Sequence, residues 1–146
     1  MPELVIGVRF VLKTVLFTGE YRSEPDTEEG CWHMAMETKR LGKTDLEVGR
    51  LGIGLSEVGF NLELADVDQA RDVINQALDN GVNFLDTAAC YGISEELIGI
   101  VASERRSEFV LATKAGHYLP RGEGEDWTYD LIIDSIDRSL ERLKTD

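Results

Sequence analysis

Positive charge is in short supply. Fifteen lysines and arginines face 28 aspartates and glutamates, for a net charge of −13. A nucleic-acid partner needs a basic face, so this balance argues against one. It equally disfavours an anionic membrane surface, and solubility is the plain reading of the excess. Cysteine is scarce too. Cys31 and Cys90 make neither a disulfide framework nor a paired metal spacing, which fits a reducing, cytoplasmic setting. No apolar run is long enough to cross a bilayer. The chain also lacks a glycine-rich dinucleotide fingerprint and any visible internal repeat. What is present is 146 residues, enough for one ordinary domain with a real core.

The first part of the chain is irregular. Residues 1–17 are apolar but interrupted by Arg9 and Lys13, and Glu3 precedes the run. A secretory signal would carry its positive charge first and an unbroken apolar centre after it. A strand, an extra helix, or sequence upstream of a true start at Met34 or Met36 all remain open. Residues 18–33 are acidic, rich in turn formers and without periodicity, and read as a linker or disordered stretch. Cys31-x-His33 is an isolated pair, too little to indicate a metal site. Residues 1–35 are therefore read as an extension, poorly ordered or preceding the true start, and 36–146 as the organised portion.

From Thr38 the pattern is regular. Lys39 to Leu41 and Leu46 to Val48 flank Gly42-Lys43-Thr44-Asp45, a hairpin signal. Leu51 to Leu55 is a short apolar strand whose two glycines suggest a close backbone approach. Asp66 to Asp79 follows as a helix, with Val67, Ala70, Val73, Ile74, Ala77 and Leu78 at helical spacing. Asn80-Gly81 ends it with a left-handed cap. Val82 to Leu85 is a second strand and Ser94 opens a second helix, with Glu95 and Glu96 favourably placed in its first turn. Phe109 to Thr113 is a third strand. Thr128 or Asp126 starts a third helix, with Leu131 or Ile132, Ile136, Leu140 and Leu143 as its inner stripe. Alternating strands and helices imply parallel strands with right-handed crossovers.

The stretch Gly81 to Ile98, GVNFLDTAACYGISEELI, organises the rest. A carboxylate, Asp86, ends its buried strand, and a phenol, Tyr91, follows five positions later. Local chemistry leaves two readings open: a site, or a strand-end Asp that hydrogen-bonds its own loop.

Asp86-Thr87-Ala88-x-x-Tyr91-Gly92, followed by Ser94-Glu95, resembles the signature of the aldo-keto reductase family. Leu41-Gly42-Lys43-Thr44, Leu51-Gly52-Ile53-Gly54-Leu55, Leu111-Ala112-Thr113-Lys114 and Ser139-Leu140-Glu141-Arg142-Leu143 fall in that family's order and spacing. The resemblance runs from Met36 to Asp146. It implies an α/β fold, a partial (β/α)8 barrel: the N-terminal hairpin plus the first three βα units of a barrel that needs about 250 residues.

The resemblance also implies a chemistry. Strand ends of such a barrel meet at one mouth, so Asp86, Tyr91 and Lys114 converge there. A carbonyl reduced by hydride becomes an alkoxide that must gain a proton. An ammonium beside a phenol favours phenolate, and a carboxylate keeps the ammonium charged and oriented. By resemblance, Tyr91 is the general acid, Lys114 tunes it and Asp86 supports Lys114. Asp86 is also the expected nicotinamide contact of NADP(H), with Gly54 to Ser56 as weaker candidates. The family grips NADPH mainly through the second half of its barrel, so binding by residues 1–146 alone is not expected. His117 is not the family's catalytic histidine, which follows the third helix; it reads as an exposed loop residue. Cys90 reads as a loop or wall residue. The substrate implied is a small aldehyde or ketone. The competing reading is a catalytically inactive truncated fragment that associates with another chain or is degraded, since an open parallel sheet with uncovered edges is expected to aggregate, pair with itself or stay partly molten.

Overall fold

The computed structural model describes residues 4–6, 36–117 and 123–146. The expected linker over 18–33 and the Cys31-x-His33 pair lie outside the described residues. Within them the chain forms a four-stranded sheet, a separate hairpin, four α-helices and two short 3-10 helices.

The hairpin comprises β2 (Thr38–Arg40) and β3 (Glu47–Gly49), paired antiparallel. Leu41 N–H donates to Leu46 O at 2.8 Å, and the Thr44 hydroxyl donates to Leu41 O at 2.6 Å, so the turn closes around the predicted residues. Asn83 stitches this hairpin to the sheet. Its Oδ1 accepts from Gly49 N–H at 2.6 Å and its Nδ2 donates to Glu47 O at 2.9 Å. Asn83 directly precedes the strand β5 (Phe84–Asp86). The hairpin is therefore fastened below the start of that strand, at the end away from Asp86.

The sheet order is β1-β6-β5-β4, parallel throughout. β4 is Ile53–Gly54, β6 is Val110–Thr113 and β1 is Leu4–Ile6. The strands are shorter than the apolar runs suggest, and β5 extends through Asp86. All four residues of β6 are buried, as a strand covered on both faces should be. A strand in the first residues was one of the alternatives the sequence left open, and β1 supplies it, beside β6.

Helices cover the sheet. α1 (Ser56–Asn61) is a short helix inside a segment whose sequence gave no helical period. α2 (Val67–Asp79) buries Ala70, Ile74 and Leu78, the centre of the predicted stripe, and leaves Val73 exposed. Gly81, just past it, takes φ +80 as the cap predicted. α3 is Ser94–Val101 and α4 is Tyr129–Leu143, with the Thr128 hydroxyl accepting from Leu131 N–H as N-cap. The core joins Leu55, Ile74, Leu78, Leu85, Ile98, Ala102, Phe109, Leu111 and Leu143.

The inner stripe of α4 differs from the prediction. Leu131, Ser139 and Leu143 are buried, while Ile136 and Leu140 are only partly so. α3 and α4 cross very tightly at Gly99, where an added Cβ would sit 2.1 Å from Arg142 O. The buried position one turn before Leu143 is thus a serine, whose hydroxyl accepts from Arg142 at 3.3 Å.

Candidate active site

The fold brings three predicted residues together. Asp86 closes β5, Lys114 follows β6, and β5 and β6 are neighbours with Asp86 opposite Ala112. Both side chains therefore emerge at the same end of the sheet. Lys114 Nζ donates to Asp86 Oδ1 at 2.9 Å and Oδ2 at 3.0 Å, and to the backbone carbonyl of Thr87 at 2.9 Å. The Tyr91 ring centroid lies 4.9 Å from the same nitrogen, within cation–π range.

The charge on Lys114 is well supported. Partial burial works against it, but the hydrogen bond and charge of Asp86, followed by those of the Tyr91 phenol, outweigh that effect. The ammonium is accordingly held above the ordinary lysine value. The Asp86 side chain keeps 40% of its exposure and Lys114 31%, so the pair is open to a ligand.

Tyr91 reaches this position because its loop is seated on α1. Gly59 lies against it so closely that a Cβ there would fall 1.8 Å from Tyr91 O. Ile93 N–H donates to Gly59 O at 3.2 Å, and Ser94 N–H to Tyr91 O at 3.0 Å. The Phe60 ring tilts against Tyr91 with centroids 6.0 Å apart. The helix α1 is thus the bed on which the Tyr91 loop rests. A single glycine among helix-compatible residues was the available signal.

Ser94 has a different task from the one its position suggested. It begins α3, but Ile93 is the N-cap and no side chain caps the helix. Buried Ser94 accepts from the Thr87 hydroxyl at 2.8 Å and donates to Leu55 O at 3.0 Å. This relay fixes the backbone of Thr87, whose carbonyl holds Lys114.

Beneath the mouth lies a second charged cluster that the sequence reading missed. Glu95 is 1% exposed. Its Oε1 accepts from Thr113 Oγ1 at 2.5 Å, and its Oε2 meets Arg142 Nε and Nη2, each at 2.7 Å. Glu95 and Arg142 are 47 residues apart, and no local pattern pairs them.

His117 is engaged in its own loop. Its Nδ1 lies 2.9 Å from Asp126 Oδ2, and its ring packs edge-on to Trp127 at 4.8 Å. Cys90 is a partly buried free thiol. Among the described residues no group of His, Cys, Asp and Glu is arranged to hold a metal ion. No helix among them is long and apolar enough to cross a membrane.

Comparison with known proteins gives the family. The model of the aldo/keto reductase family matches residues 50–146. The uncharacterized oxidoreductase YqkF of Bacillus subtilis is 35% identical over 117 residues, covering 76% of this chain and 36% of that protein. L-galactose dehydrogenase of Arabidopsis thaliana is 36% identical over 116 residues, covering 76% of this chain and 35% of that protein. An aldo-keto reductase of Bacillus halodurans, solved in its apo form, superposes with a TM-score of 0.56 at 31% identity, covering 76% of this chain and 34% of that one. The chain thus spans little more than a third of the length of the curated relatives it matches, and its parallel strands and helices correspond to part of their TIM barrel. With the family model extending over more than half of its length, the chain belongs to the aldo/keto reductase family of oxidoreductases.

Proposed function

We propose that this chain carries the proton-donating end of an NADPH-dependent carbonyl reductase site, with Tyr91 as general acid, Lys114 as its charged neighbour and Asp86 as the anchor of Lys114. The observation that carries this reading is Lys114 Nζ, held by both Asp86 oxygens and the Thr87 carbonyl while lying 4.9 Å from the Tyr91 ring. A lysine needed only for structure would be satisfied by the carboxylate. This one is also turned to a phenol.

The residues present fit the nicotinamide end of the cofactor. Asp86 is part-exposed at the mouth, and a carboxylate that already accepts from Lys114 retains lone pairs for an amide N–H. The cofactor, when bound, supplies the hydride. Tyr91 gives its hydroxyl proton to the carbonyl oxygen as negative charge develops there. The Lys114 ammonium offsets the charge then left on the phenol oxygen, in a site where fixed charges act strongly. Asp86 and Thr87 O keep the ammonium in place, so no reorganisation is needed at the moment of proton transfer. The substrate class is a small aldehyde or ketone, and the setting a cytoplasmic one. In the family the phosphate grip belongs to the second half of the barrel. The 1–146 chain by itself is accordingly expected to lack saturable NADPH binding and turnover.

The test is Tyr91→Phe in residues 36–146 of this chain joined to the remaining barrel units of a family member. Carbonyl reduction should fall by at least ~100-fold, the usual scale of a general acid, while NADPH fluorescence titration is unchanged. Wild-type turnover in that variant would remove Tyr91 from its role.

A further inference from the structure

We propose that Leu4–Ile6 plugs the edge of β6 where the next strand of a barrel would pair, so that the extension keeps this half-barrel from taking up another strand. Strands β4, β5 and β6 lie side by side in sequence order, all parallel. In a barrel built this way, the next strand belongs on the free side of β6. That side is occupied by β1, parallel, with Leu4 opposite Leu111, Val5 opposite Ala112 and Ile6 opposite Thr113. β1 comes from outside the family match, which begins at residue 50. The strand it covers is buried along its whole length. Left bare, such an edge is a template for strand addition.

The ladder itself supplies a selective readout. Val110 N–H donates to Asn83 O, and Ala112 O accepts from Thr87 N–H, both at 2.8 Å. Val110 and Ala112 therefore direct their backbone groups toward β5. By alternation Leu111 and Thr113 direct theirs toward β1. Val5, opposite Ala112, is likewise the residue of β1 turned toward β6, and a proline there removes its N–H.

The experiment is residue-resolved amide hydrogen exchange on three proteins: the full chain, its Val5→Pro variant, and the chain starting at Met36. Sedimentation velocity at several concentrations accompanies it. In both variants the Leu111 and Thr113 amides should exchange at least ~10-fold faster than in the full chain, with Val110 and Ala112 unchanged. If the bared edges pair between copies, protection at Leu111 and Thr113 returns with concentration, together with a dimer mass, and this equally supports the plug. Protection at those two amides equal to wild type in both variants, independent of concentration and with a monomer mass, overturns it.

Discussion

Arg142→Met should be among the most damaging single changes in this chain, although Arg142 is remote in sequence from the proposed acid. The reason lies in Glu95. Its side chain is 1% exposed and its Oε2 has the two Arg142 nitrogens as partners, while Oε1 keeps the Thr113 hydroxyl. Arg142 itself retains 26% of its exposure, so its desolvation is incomplete and the cost of breaking the pair falls on the carboxylate. Removing one partner of a buried ion pair typically costs about 3–5 kcal/mol. A chain of this size has about 5–15 kcal/mol in total, so the variant would lose a large share of its stability. With a urea slope of about 1–3 kcal/mol/M, the midpoint should fall by more than about 1 M with little change in slope. Glu95→Gln combined with Arg142→Met should recover part of the loss, since the amide can still bond Thr113 and no charge is left at position 95, while the Glu96 carboxylate, 3.8 Å from Arg142, still loses its cation. Urea unfolding followed by circular dichroism measures both. The reasoning fails if Arg142→Met lies within about 0.5 kcal/mol of wild type, or if the double variant is as unstable as the sum of its parts.

Gly59→Ala would place a methyl 1.8 Å from Tyr91 O; it should cost about 1–3 kcal/mol through overpacking and shift the Tyr91 ring resonances, which NMR reads directly. Lys114 has its folded-state pKa raised above about 10.5. Its contribution to stability is therefore full below that pH and is lost as pH rises through the higher folded value. Unfolding curves at alkaline pH should show this loss in wild type and a flatter alkaline limb in Lys114→Met. Asn83→Ala removes both bonds to the hairpin; it should destabilise by about 1–3 kcal/mol and speed amide exchange in β2 and β3, leaving the Lys114–Asp86 pair in place by NMR.

Local signals carried most of what could be read before the fold was known. Asp86 ends one strand, Tyr91 follows in the next loop and Lys114 comes at the end of another strand; their types alone left a site and an ordinary loop both open, and the resemblance to the aldo-keto reductase signature singled them out. The hairpin was legible because Gly42 to Asp45 separate two runs of strand type. Tertiary contacts were not legible in the same way. Gly59 looks like any helix-weakening glycine until Tyr91 O is found against it. Ser94 sits where a cap belongs, yet its hydroxyl is drawn instead to Leu55 O and Thr87. Helical periodicity put Ile136 and Leu140 on the inner face of α4, whereas the tight crossing at Gly99 turned Ser139 inward. Each miss concerns a residue whose partner is far away in sequence, and periodicity has no access to that partner.

The two charged clusters are linked through the end of β6. Thr113 and Lys114 are consecutive, and side chains of consecutive strand residues point to opposite faces. Thr113 bonds Glu95 in the helical layer, while Lys114 bonds Asp86 at the mouth. The backbone between them is therefore pinned on one side by a buried ion pair and on the other by a bidentate one. Asp86 is held to the same strand by the ladder, with Ala112 opposite it, and Thr87 N–H donates to Ala112 O at 2.8 Å. A shift of Thr113 would thus move Lys114 relative to its carboxylate and to Tyr91 together. Placement to a fraction of an ångström is what a pre-set proton donor requires, and a rigid strand end fixed from both faces supplies it more reliably than a loop could. On this argument Glu95 and Arg142 would be positioning residues for the proposed site, acting on it through Thr113.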